Sequence, residues 1–113
     1  MTGATCPVSE CRRHFEKLLA ADAITTPRFR HLTEEIFLLL EDIAWGRGGP
    51  DHISALQSLG ETLAFQGPDA ATMEAGRFLT DALHEHREVF VSHIETHNCA
   101  TGDCVKLAPS PCQ

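Results

Sequence analysis

The chain has 113 residues, enough for one domain with a core of its own. Apolar residues make up 42% and charged residues 22%, an ordinary globular balance that excludes a disordered chain. The formal net charge of −7 argues against a nucleic-acid partner, and the longest apolar run, Ile36–Leu40, is far too short to span a membrane.

The pattern predicts an all-α fold. No stretch alternates with period two, and no Asn-Gly or Asp-Gly hairpin signal occurs. A first helix is expected from about Ser9 to Ala21, with Phe15, Leu18 and Leu19 on one face. Thr26-Pro27 supplies an N-cap and a proline at the first helical position of the second. Phe29, Leu32, Ile36, Leu39, Leu40 and Ile43 follow at spacings that share one face, and Gly46, Gly48, Gly49 and Pro50 end the helix. A third begins near Asp51 and carries Ile53, Leu56, Leu59 and Leu63 up to the break at Gly67-Pro68-Asp69. A fourth, long helix is expected from about Ala70 to His97, with Leu79, Ala82, Leu83, Phe90 and Ile94 as its stripe. Short connections then give an antiparallel four-helix bundle over residues 1–98. Residues 99–113 read as an irregular, cysteine-containing tail, because Gly102, Pro109 and Pro111 oppose another helix.

Five cysteines lie at 6, 11, 99, 104 and 112, clustered at the two ends. The N-terminus lacks the basic flank and apolar stretch of a signal peptide, which predicts a cytoplasmic location. There, an odd cysteine count argues against a disulfide framework. Thiolates are soft ligands for zinc or an iron–sulfur cluster, so Cys99, Cys104 and Cys112 are candidate ligands, with His97, Cys6 or Cys11 as a possible fourth. The alternative is that the tail cysteines are simple thiols. His86, His93 and His97 fall on the stripe of Leu79, Phe90 and Ile94. His93 and His97, four apart, could bind one metal from one helix face. Otherwise these rings sit at the bundle seam and bond carbonyls or acids. Glu34-Glu35 and Glu41-Asp42 read as a solvated face. No nucleophile–base constellation and no phosphate loop is visible, so catalysis by this chain alone is not expected.

Gly60-Glu61-Thr62-Leu63-Ala64-Phe65-Gln66-Gly67-Pro68-Asp69-Ala70-Ala71 resembles a segment of the 51-kDa NADH dehydrogenase flavoprotein subunit. In that family this segment carries the last cluster cysteine of a C-terminal, iron–sulfur-binding helical bundle. His86-Arg87-Glu88-Val89-Phe90-Val91-Ser92-His93-Ile94 is similar to the family's F-R-D-E-F-x-x-H-I stretch. Cys99-Ala100-Thr101-Gly102-Asp103-Cys104 resembles the C-P-x-G-x-C that follows it in related hydrogenase and formate dehydrogenase subunits. Upstream, Thr26-Pro27-Arg28-Phe29-Arg30-His31-Leu32-Thr33 echoes C-T-P-C-R-x-G-T. The resemblance covers about residues 25–104, with the bundle part at 25–98.

The family's 4Fe–4S cluster uses C-x-x-C-x-x-C plus one distant cysteine. Here the triple-cysteine region has no cysteine, and Ala64 occupies the distant position. The cluster therefore cannot form at its usual place. Leu107-Ala108-Pro109-Ser110-Pro111-Cys112-Gln113 resembles the A-P-x-P-C-Q opening of the iron–sulfur domain in glutamate synthase small-subunit-like proteins. In a fused context Cys104 and Cys112 would serve as cluster ligands. The resemblance implies an accessory or electron-transfer module that docks on a flavoprotein or dehydrogenase subunit. Two other expectations stand beside it: a stand-alone zinc or iron–sulfur module, and a metal-free four-helix interaction protein.

Overall fold

A computed structural model describes residues 6–96. Five helices follow one another: α1 (Pro7–Ala20), α2 (Pro27–Ala44), α3 (Pro50–Gln66), α4 (Ala70–Glu85) and α5 (Arg87–Thr96). No strand occurs among the described residues.

Local chemistry sets most of the boundaries. Cys6, Thr26 and Gly49 hold the extended backbone of an N-cap, each followed by proline at the first helical position. Proline there loses nothing, because that N–H has no partner within the helix. Asp69 caps α4, accepting the Thr72 N–H at 2.9 Å. α1 ends in a Schellman turn: Ala23 N–H reaches the Leu18 carbonyl, and Asp22 adopts a left-handed φ of 53°. α2 ends in the same way at Gly46, with φ of 78° and the Arg47 N–H on the Asp42 carbonyl. His52 joins α2 to α3. Its Nδ1 accepts the Gly49 N–H at 3.0 Å, which puts the ring hydrogen on Nε2, facing Asp42 at 3.2 Å.

The expected long fourth helix is two helices. The break falls at His86, within His84–Glu88, five consecutive polar residues that are all exposed. No buried side chain holds the backbone straight there. The His86 carbonyl starts α5 by accepting from Val89 and Phe90 N–H groups. The new direction buries Phe90 and His93. α1 also begins earlier than its apolar stripe suggests, at Pro7, because Val8, Ser9 and Cys11 are buried as well.

The core takes Phe15 from α1; Ile36, Leu40 and Ile43 from α2; Leu56 and Leu63 from α3; Leu79 and Leu83 from α4; and Phe90 from α5. Leu32, Leu39, Leu59, Ala82 and Ile94, expected on the same stripes, are half-buried and pack against its edge. Ser9, Thr33, Thr72 and His93 are the buried polar residues among those described, and the Thr33 hydroxyl donates to the Phe29 carbonyl at 2.7 Å. Arg12 links α1 to α2, lying over the Phe37 ring and meeting Glu41 at 3.7 Å. The α3–α4 crossing is closer. A Cβ at Gly76 would sit 2.5 Å from the Gly60 carbonyl oxygen and 2.8 Å from Leu63 Cβ, so only glycine permits this backbone approach.

Candidate metal centre

Two donor side chains from opposite ends of the chain meet in the interior. Cys6 precedes proline, which favours the extended backbone it adopts. Its carbonyl accepts the Glu10 N–H at 2.9 Å, and its thiol starts α1 fully buried. His93 lies on α5 and is 3% exposed. Cys6 Sγ and His93 Nε2 stand 3.4 Å apart.

The ring orientation follows from its other nitrogen. His93 Nδ1 is 2.9 Å from the Val89 carbonyl, one helical turn back. A carbonyl can only accept, so Nδ1 carries the hydrogen, and in the neutral ring the Nε2 lone pair points at the cysteine sulfur. A metal-ligating histidine is held in this way, with one nitrogen anchored on a carbonyl and the other presented to the ion. The spacing also fits. Zinc–sulfur and zinc–nitrogen bonds of about 2.3 and 2.0–2.1 Å at a tetrahedral angle place sulfur and nitrogen about 3.5 Å apart. With the thiol protonated, the same separation accommodates an S–H···N hydrogen bond.

The other candidates divide into two groups. Cys11 is buried on α1, where burial first, and then the charges of Glu10 and Cys6, push its thiol up to about 12. It edges a cavity of about 210 Å³ whose lining includes Phe78, Asp81, Glu85 and His86, but at 1% exposure and held protonated it behaves as a buried thiol. His97, Cys99, Cys104 and Cys112 lie outside the described residues. Among the described residues, no three His, Cys, Asp or Glu side chains gather closely enough to hold a metal ion. His86 is exposed and lines the same cavity as Cys11, between the start of α1 and the end of α4. Glu34 and Glu35 are exposed and meet Arg30 and His31, Glu41 meets Arg12, and Asp42 meets His52 and Arg47.

Helical spacing singles out His93 but aims it at His97. Nothing local could reveal Cys6 as its neighbour, because 87 positions separate them. Only the packing of α5 against the start of α1 joins them. Ser9, on that same first turn of α1, is fully buried, and its hydroxyl has no hydrogen-bond partner among the described residues.

Among the described residues, no helix is long and apolar enough to cross a membrane. Comparison of the chain with protein-family models, with curated proteins and with solved structures gives no match.

Proposed function

We propose that this chain is a metal-carrying helical module of a redox assembly, with Cys6 and His93 as the donors supplied by the bundle. The observation that carries this reading is the buried 3.4 Å approach of Cys6 Sγ to a carbonyl-anchored His93 Nε2. Two more donors would come from His97, Cys99, Cys104 and Cys112. In the sequence His97 is four residues beyond His93, and Cys99 is three residues past Thr96, the last residue of α5. At about 3.5 Å per residue, that short connection can return a thiolate to the end of the helix. Zinc held by such sulfur and nitrogen donors would supply a structural cross-link between the chain's two ends, and an iron–sulfur cluster would supply one-electron transfer. The residues of the bundle orient the imidazole, exclude water and position the thiol. The likeness of residues 25–104 to the 51-kDa NADH dehydrogenase subunit supports a flavoprotein or dehydrogenase as the partner, with this chain as a non-catalytic component.

The test is the metal content and visible spectrum of the full chain purified without oxygen, repeated after reconstitution with zinc, cobalt, or iron and sulfide. The expected result is a stoichiometric metal or cluster that Cys6→Ser and His93→Gln each weaken, whereas Cys11→Ser leaves it in place. A folded chain that takes up no metal under any of these conditions overturns the proposal.

A further inference from the structure

A second feature stands apart from the Cys6–His93 pair. Between α2 and α3 runs a groove of about 550 Å³ with an aliphatic floor of Leu38, Leu39, Ala55 and Leu59. Leu38 is 58% exposed and is contiguous with the other apolar residues of the lining, which makes a patch and not an isolated surface leucine. Glu35 and Asp42 stand on the α2 side of the rim, seven residues apart. That separation is two helical turns, or about 10 Å. From the start of α2 to the end of α3, residues 27–66 contain six carboxylates (Glu34, Glu35, Glu41, Asp42, Asp51 and Glu61) against three arginines, of which Arg28 and Arg30 lie in the first turn of α2, away from the groove lining. Glu35 is approached by the exposed His31 ring at 3.5 Å, and Asp42 by His52 and Arg47.

From this arrangement we infer that the α2–α3 groove docks a basic amphipathic helix of a partner protein. The apolar floor accepts leucine-type side chains at i, i+3 or i+4, and i+7, and the acidic rim pairs with flanking lysine or arginine. Electrostatics disfavours the other occupants. A second copy in a symmetric pairing would set this acidic face against itself. An anionic lipid surface would repel it as well. Between the aliphatic floor and the acidic rim the lining adds one neutral polar side chain, Ser58, too few to orient a small molecule by convergent hydrogen bonds.

The probe is a fluorescent synthetic helix of about four turns, with leucines on one face and lysines on its flanks, titrated into the full chain. Saturable binding that weakens as salt rises is expected, and a peptide with glutamate in place of lysine should not bind. Leu38→Lys, at an exposed position that does not threaten the fold, is expected to weaken binding about 10-fold or more. Phe65→Ser removes an even more exposed apolar side chain outside the groove and should leave binding unchanged. Absence of saturable binding, equal binding of the glutamate peptide, or indifference to Leu38→Lys each overturns the inference. Sedimentation revealing a dimer abolished by Leu38→Lys also overturns it, assigning the groove to a second copy. None of these readouts involves metal uptake, so this inference and the proposed function fail independently.

Discussion

Replacing Gly76 by alanine is expected to pry α3 from α4. The new Cβ would lie 2.5 Å from the Gly60 carbonyl oxygen and 2.8 Å from Leu63 Cβ, and two of its three nearest atoms are backbone. Ordinary contact needs about 3.5 Å, so the helices must separate locally by roughly an ångström. Leu56, Leu63, Leu79 and Leu83 are all fully or nearly fully buried in the layers these helices share, and they lose contact as the gap opens. Overpacking of this kind costs about 2–3 kcal/mol. Alanine recovers about 1 kcal/mol of helix propensity, which leaves a net loss of about 1–2 kcal/mol. For a domain of this size, that corresponds to a melting temperature lowered by about 5–10 °C. Gly60→Ala provides the control. It makes the same propensity gain, but its Cβ meets the side-chain ends Thr80 Cγ2 at 2.9 Å and Leu79 Cδ2 at 3.3 Å, which can rotate or shift. Its stability should change by less than about 1 kcal/mol. Urea unfolding followed by circular dichroism measures both variants, with equal slopes required for the comparison. A Gly76→Ala protein as stable as the parent would refute the close-crossing argument.

Two further outcomes follow from single residues. Asp22 holds a left-handed φ at the end of α1, and Asp22→Gly should raise stability by about 0.5–1 kcal/mol despite losing the exposed pair with Arg30. A lower urea midpoint would show that the pair outweighs the backbone relief. His14 stacks on Phe78 with ring centroids 4.0 Å apart, and burial, aided by Lys17, lowers its pKa below the ordinary 6.5. The unfolded chain therefore takes up this proton at higher pH than the folded chain does. The associated stability is complete above about pH 6.5 and is lost as pH falls from there through the folded-state value. His14→Phe keeps an aromatic stack and should flatten the change in urea midpoint between about pH 7 and 5, whereas an unaltered profile would exclude His14 as a contributor.

The all-helical class and most of the punctuation were legible in the chain because their causes are local. Thr26-Pro27, Gly49-Pro50 and Gly67-Pro68-Asp69 are caps and breakers whose effect spans only a few residues. The apolar stripes named the core of α2 and α3 for a similar reason, since helical period and burial are one constraint. The break at His86 escaped this reading. It contains neither glycine nor proline, and it arises because nothing buried holds a run of five polar residues in line. Leu39 and Leu59 lie on their stripes, yet they floor an outer groove, because helix packing decides which part of a broad apolar face is covered. The Gly60–Gly76 crossing likewise exists only once α3 lies against α4.

The candidate centre shows the same division most sharply. The sequence by itself determined that thiols sit at both ends of the chain and that His93 shares a helix stripe with apolar residues. Tertiary structure alone decided that Cys6 faces His93 and that Cys11 is enclosed beside Phe78. A helical period relates residues three and four apart, whereas a meeting across 87 positions is settled by how completed helices bury their faces against one another.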